Sequence, residues 1–427
     1  MKNIDNYHQT TINVLFLMFP LTLILGNLFT NLNVVIFCLY TLIAYNKNFK
    51  KFKINFFDKI ILIFFSYIFI TLLINFLESY INEEIFSQHI IKKTFFFFRY
   101  LVLYLVLRFL INQNILNLNQ FSIACAICAV FICLDIFFQF YFGKDLFGIK
   151  PSSARHFSGV FGDELIAGGY LQKFALFTLF LPFIINQSFF YKISIQTIFF
   201  IIFIFGIILS GNRMPLILFF FSYFIYLLLD KKLKKYILPL LIFFFLFLSL
   251  NFSLNQTFKI NAITFYKNGA NLISTILAKN SSKEQPGIAQ KPYVAEFVCA
   301  RNAFKLNPFF GGGVRSYRTT GLNKGCTTHP HNYYFEIVVD LGLFGLSIIL
   351  IFIFTLMYKI LIKKVNRVQL NLNTLDSKMM PFFLIFITEF FPIRTTGSFF
   401  STGNSTVIFI ILAILVSLVS EKKSINF

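Results

Sequence analysis

The residue types best suited to chemistry stand together at His329-Pro330-His331-Asn332, which closes the longest polar stretch of the chain. An imidazole has an ordinary pKa of about 6.5, so it can take a proton at neutral pH. The next residues run Tyr333-Tyr334-Phe335-Glu336-Ile337-Val338-Val339-Asp340-Leu341-Gly342-Leu343-Phe344-Gly345. A helix there would set Asn332, Glu336 and Asp340 at i, i+4 and i+8, on one face. A polar stripe on a membrane helix is expensive and normally faces the bundle interior or a wet cavity. Arginines supply the complementary chemistry. Arg213 lies in Ser210-Gly211-Asn212-Arg213-Met214-Pro215, where Asn212 suits an N-cap and Pro215 a first turn. An arginine beside a helix N-terminus is a site for an anion such as phosphate. Arg155 to Glu164 gathers a base, a histidine and the acids Asp163 and Glu164, and Pro392 to Asn404 offers Arg394 and several hydroxyls. The combination reads as a histidine general base with arginines that neutralise a diphosphate. The chain has no His-x-x-x-His on a helix and no Asp-x-Asp pair, and its histidine pair flanks a proline, so no metal and no cofactor is expected. A Ser/His/Asp hydrolase elbow is also absent.

The elements that must position these residues are membrane helices. Hydrophobic residues make up 57% of the chain and charged residues 13%, whereas a soluble domain carries roughly 25% charged residues. Apolar runs near 12–29, 32–45, 57–77, 94–111, 121–142, 166–186, 193–210, 214–229, 236–251, 333–358, 379–392 and 404–420 predict an all-α polytopic protein. At roughly 20 residues per crossing they make about twelve transmembrane helices. The first run lacks a small-residue cleavage site and is read as a retained helix. The net charge of +21 does not imply a nucleic-acid partner, because the basic residues cluster between spans as the positive-inside rule expects. Lys47 to Lys53, Lys231 to Lys235, Lys359 to Arg367, and Lys422 with Lys423 all follow even-numbered runs. With both termini in the cytoplasm, the connections 143–165, 211–213, 252–332 and 393–403 then face outward together, and they bring Arg155, Arg213, His331 and Arg394 to one side of the membrane.

Three regions follow: spans one to nine over 1–251, an outward loop subdomain over 252–332, and spans ten to twelve over 333–427. The loop is too long for a plain linker. Residues 293–306 show a helical apolar period that Asn307-Pro308 ends, and Gly311-Gly312-Gly313 makes a turn. Cys299 and Cys326 are the cysteines of this loop and are expected to form a disulfide in an oxidising compartment. Cys38, Cys125, Cys128 and Cys133 fall inside spans, so Cys125-x-x-Cys128 is read as core packing rather than a redox or metal pair.

These residues resemble the O-antigen ligase and O-antigen polymerase superfamily of bacterial inner membranes. The likeness is carried by Asn307-Pro308-x-x-Gly311-x-Gly313, His329-Pro330-His331-Asn332-x-Tyr334, the acid-x-Gly-x-x-Gly of Asp340 to Gly345, Ser210-Gly211-Asn212-Arg213, and Arg155 through Phe161. It spans residues 150 to 405, and departs in having Asp340 where glutamate is usual and no tryptophan early in the long loop. The resemblance implies a metal-independent, GT-C-like membrane glycosyltransferase with its site on the periplasmic side. The donor would be a glycan on undecaprenyl diphosphate, and the acceptor lipid A–core in a ligase or a lipid-linked glycan in a polymerase. Arg213, helped by Arg155, Arg318 and Arg394, would hold the diphosphate, and His331 would take the acceptor proton. His329 would orient it, and Asn332, Glu336 and Asp163 would complete the substrate-binding set. Twelve spans with the long loop between the ninth and tenth look more like the ligase. The rival reading is a lipid-linked glycan transporter or flippase. It is disfavoured because the polar residues gather on one face rather than near the midplane of related halves.

Overall fold

A computed structural model describes residues 2–49, 52–83, 86–151, 153, 156–184, 189–229, 233–254, 263, 292–322, 326–368, 373–394 and 397–420. Helices α1 (Lys2–Leu17), α2 (Phe19–Leu25), α3 (Asn27–Ala44), α4 (Asn46–Phe49), α5 (Phe56–Ile81), α6 (Gln88–Phe97), α7 (Arg99–Asn112) and α8 (Leu118–Phe142) form the first half. Helices α9 (Ala167–Ile184), α10 (Phe189–Leu209), α11 (Arg213–Leu229), α12 (Ile237–Leu254), α13 (Pro292–Phe304), α14 (Ser316–Leu322), α15 (Tyr333–Val368), α16 (Asn373–Glu389) and α17 (Thr402–Ser420) follow. Among the described residues no strand forms, only an isolated bridge between Ser153 and His156. Each of the expected apolar runs coincides with a helix or a helix pair. Among the described residues, six of these helices and the stretch Gln88–Asn112 formed by α6 and α7 are long and apolar enough to cross a membrane, seven in all, and the bent pair α1–α2, kinked by 41°, makes up to eight. The protein is therefore an all-α, multi-pass membrane protein. Two apolar helices, Arg213–Leu229 and Met379–Glu389, fall short of the roughly 20 residues a perpendicular crossing takes, so among the described residues length and apolarity alone support seven or eight of the twelve expected spans.

The bundle closes around α17, in which every residue from Ser405 to Leu418 is buried. A helix buried all round belongs at the centre, and the phenylalanines pack against it as aromatic pairs prefer, edge to face or offset. Phe97 meets Phe400 at 5.0 Å and Phe409 at 5.9 Å, and Tyr100 stacks on Phe409 at 5.7 Å. Near the start of α5 and the end of α17 lies a buried ion pair, Arg108 to Asp58 at 2.9 Å. Tyr104 also donates to Asp58, and Arg108 to Ser417. Buried charges persist only when paired, and Asp58 does double duty by capping the first turn of α5 with Asn55.

At the other end of the bundle, buried polar groups on the helices fasten the connections. Asp135 on α8 accepts from the backbone N–H groups of Leu146 and Val160, and Gln139, one turn on, accepts from Gly159 and donates to Ile149. Asn212 accepts from Gly168 N–H and donates to the Leu165 carbonyl. That corrects its expected role as an N-cap of α11. Pro215 stands at the third helical position and has no N–H to give, so the Asn212 side chain is spent on the start of α9 instead.

Candidate functional site

The stripe Asn332, Glu336 and Asp340 is present, and each member holds a different connection. Asn332 caps α15 by accepting from Tyr334 and Phe335 N–H, and it donates to the carbonyls of Pro392 and Arg394. Glu336 accepts from Ser398 Oγ and Phe399 N–H, both at 2.5 Å. Asp340 accepts from Arg315 N–H at 2.7 Å, Tyr317 N–H at 2.9 Å and Ser316 Oγ at 3.0 Å. One face of one helix thus fixes the chain around 315, at 392–394 and at 398–399.

The two glycine motifs explain each other. Gly342 (φ 66°, ψ −172°) interrupts α15, a conformation open essentially to glycine. The break frees the carbonyls of Val339 and Asp340, which accept from Gly312 and Gly313 N–H, while Leu343 N–H donates to Pro308. The segment Asn307 to Gly313 lies so close that a Cβ on Gly342 would overlap the Phe309 carbonyl, and one on Gly311 would overlap the Asp340–Leu341 peptide. From α5, Asn75 donates to the Gly311 carbonyl and Tyr67 to the Leu341 carbonyl.

These contacts frame a cavity of about 480 Å³. Its cationic wall is Arg315, Arg318, Lys173 and Arg394; its acids are Glu164 and Glu336; its apolar wall includes Leu23, Leu165, Ile166 and Phe174. Lys173 and Arg394 both pair with the buried Glu389, at 3.3 and 2.6 Å, and Tyr333 donates to the same carboxylate. Two cations on one carboxylate leave a net positive charge beneath the cavity. Arg315 is half-buried, has φ +63°, and donates to the Phe400 carbonyl. His329 lines the cavity, and its buried Nε2 has no hydrogen-bond partner among the described residues. Burial, then the neighbouring His331, Arg315 and Arg318, push its pKa down to about 4. His331 stands beside it, ring centroids 4.2 Å apart. It has φ +48° and its Nε2 is 3.6 Å from Glu296 Oε1.

Of the residues singled out from sequence, the cavity brings together Arg318, Arg394, His329 and Glu336. His331 stands one ring behind its wall. Arg213 is exposed at the start of α11, and its neighbours Asn212 and Pro215 are the residues that reach the cavity. Asp163 is exposed while Glu164 lines the wall, Asn332 is occupied as a cap, and Arg155 lies outside the described residues. Cys299 and Cys326 are bonded to each other, with Cα atoms 6.2 Å apart. Sequence reasoning passed over Arg315, Lys173, Glu389 and Glu296. Arg315 carried a signal, since it follows Gly313 by two residues in the same motif. Lys173 and Glu389 carried a weaker one, as isolated charges inside apolar runs.

Residues 198–350 match the family model described as O-antigen ligase. The match runs from α10 to the middle of α15 and takes in Arg213, Arg315, Arg318, both histidines, Glu336 and Asp340. No curated protein matches the chain.

Proposed function

We propose that this chain, as a member of the O-antigen ligase and polymerase superfamily, is a membrane glycosyltransferase of the ligase type. It moves a glycan from undecaprenyl diphosphate to lipid A–core at the periplasmic face of a bacterial inner membrane. The observation that carries the reading is the cavity in which the connections after the fifth, seventh, ninth and eleventh apolar runs meet, with four cationic side chains and a histidine on its wall. Arg315 and Arg318, backed by Lys173 and Arg394, neutralise the diphosphate. Arg213, exposed between the lining residues Asn212 and Pro215, is assigned the outer charge of the diphosphate. The apolar wall at Leu23, Leu165, Ile166 and Phe174 suits the first isoprene units of the carrier. Apposed cations of this kind stabilise charge that develops on a leaving group.

In this reading the acceptor hydroxyl attacks the anomeric carbon and the bond from that carbon to the diphosphate oxygen breaks. His331 takes the hydroxyl proton, and the arginines hold the departing diphosphate. A diphosphate is already a good leaving group, so the proposal needs no metal. A second reading exchanges the histidines, because His329 is the one on the cavity wall with an unpartnered Nε2. The membrane topology belongs to the same proposal: twelve crossings in a GT-C-like arrangement, both termini cytoplasmic, and 252–332 as the outward loop between the ninth and tenth.

The test is transfer from purified undecaprenyl-diphosphate glycan to lipid A–core, or to a second lipid-linked glycan, in the presence of a chelator. Removal of a general base typically lowers a rate by about 10² to 10⁴, and His331→Ala should do so. Full activity in that variant with loss in His329→Ala selects the second reading. Transfer to the lipid-linked glycan alone makes the protein a polymerase, and activity restored by a divalent ion rejects the metal-free mechanism.

A further inference from the structure

We propose that Glu296 is a positioning residue for His331, and that the Cys299–Cys326 bridge exists to hold it there. The inference rests on the assignment of His331 as the base. Glu296 is buried on α13 and its Oε1 lies 3.6 Å from His331 Nε2. At that distance a carboxylate acts by its charge: it stabilises the imidazolium that forms when the acceptor proton is taken, as the aspartate does beside the histidine of a hydrolase triad. Three observations make the placement specific. The disulfide leaves α13 at Cys299, about one turn from Glu296, and rejoins the chain at Cys326, just before the histidine pair. Cys299, Ala300 and Ala303 form a small apolar core of their own with Tyr317 and Val339, and Phe297 meets Phe335 at 5.3 Å. His331 sits at φ +48°, sparsely populated for a residue with a side chain and sustained only where surroundings enforce it.

Burial raises the Glu296 pKa to about 7, so its carboxylate form, the one that supports an imidazolium, gains population as pH rises through neutrality. Around the pair, Tyr317 on α14 interacts with Glu296 and with Glu336 and Asp340 from α15, and His329 interacts with His331, with Arg315 before α14 and with Arg318 on it. These other groups stay in place in a Glu296 variant, so a change in the pH profile isolates the carboxylate.

The experiment is kcat/KM against pH for the full chain in lipid, for wild type, Glu296→Gln, Glu296→Asp and His331→Ala, with Tm recorded for each. Glu296→Gln should lower the plateau by roughly 10- to 100-fold, less than removal of the base itself. It should also move the acid limb to lower pH, because an imidazole without an adjacent anion is less basic. Glu296→Asp should recover part of both. In a Cys299→Ser/Cys326→Ser background, the effect of Glu296→Gln should shrink toward nothing. An unchanged plateau and acid limb in Glu296→Gln, with His331→Ala inactive, overturns the positioning role and leaves the base assignment standing. An active His331→Ala overturns the assignment beneath it. A full-sized Glu296→Gln effect without the bridge overturns the role given to the disulfide.

Discussion

Asp340→Asn should unfasten Arg315 from the cavity without emptying any space. Asp340 Oδ2 accepts from Arg315 N–H at 2.7 Å, and Oδ1 from Tyr317 N–H at 2.9 Å and Ser316 Oγ at 3.0 Å. An asparagine has one oxygen and one NH2. With its oxygen at the Oδ1 place it sets an NH2, which cannot accept, against the Arg315 N–H; flipped, it sets the NH2 against the Tyr317 N–H. Either way a backbone donor loses its acceptor. A hydrogen bond to a charged group contributes roughly 1.5–3 kcal/mol, and a buried donor left unsatisfied adds its own desolvation. A weakening of about 2–4 kcal/mol follows for the attachment of residues 313–317, a shift of roughly 30- to 700-fold in the local opening equilibrium. The helix carries its glycine break and its Glu336 anchor elsewhere, so insertion and expression should change little. The assay is the transfer reaction with donor varied: kcat/KM should fall at least tenfold, with the larger part in KM. Wild-type kinetics in Asp340→Asn would refute the claim that this carboxylate places the cationic wall. So would an equal loss in a control such as Asp58→Asn at the far end of the bundle, since the effect would then be general instability.

Gly342→Ala should be worse for stability than for chemistry, costing about 3 kcal/mol or more, because the strained backbone region alone accounts for 1–3 kcal/mol and the new Cβ would overlap the Phe309 carbonyl; a Tm near wild type would count against the inserted-loop geometry. His329 has its folded pKa lowered from the ordinary 6.5 to about 4, so the folded protein binds fewer protons than the unfolded chain across that window. Its contribution is present above about 6.5 and lost as pH falls toward 4, so the Tm difference between wild type and His329→Asn should rise with pH, and a flat difference would contradict it. Cys299 and Cys326 should resist maleimide until reduced, and removing their bridge, which has a sequence separation of 27, should destabilise the fold by about 3–4 kcal/mol on loop-entropy grounds. Reporter fusions after Lys235 and Lys364 should be cytoplasmic and those near Gly287 and Thr395 periplasmic; a cytoplasmic signal at Gly287 would invert the topology and remove the site from the outer face.

Composition and spacing suffice for most of what depends on neighbours along the chain, the cap expected of Asn212 being the exception. Hydropathy alone requires membrane helices, since a backbone in lipid must satisfy its own hydrogen bonds, and each apolar run does become a helix. The i, i+4, i+8 register of Asn332, Glu336 and Asp340 is equally local, because it follows from the helical repeat. Asn332 caps its own helix, but what Glu336 and Asp340 touch is not local. Their acceptors meet donors at Arg315, Tyr317, Phe399 and Ser398, tens of residues away, and only packing decides such pairs. The glycines of Asn307-Pro308-x-x-Gly311-x-Gly313 and of Asp340-x-Gly342 are readable as turns, yet their reason is mutual: one segment runs through the break in the other. The same holds for the charges. Arg213 stood out because its turn is short, and Arg315 was hidden among loop residues, but tertiary structure leaves Arg213 exposed and turns Arg315 to the cavity. Lys173, Glu389 and Arg394 come from different elements, and low dielectric joins them because none can remain buried without a partner. Sequence determined which groups lie in the membrane and on which helical face; the fold decided which of them share a cavity, because long-range pairing is set by which buried polar groups must satisfy one another.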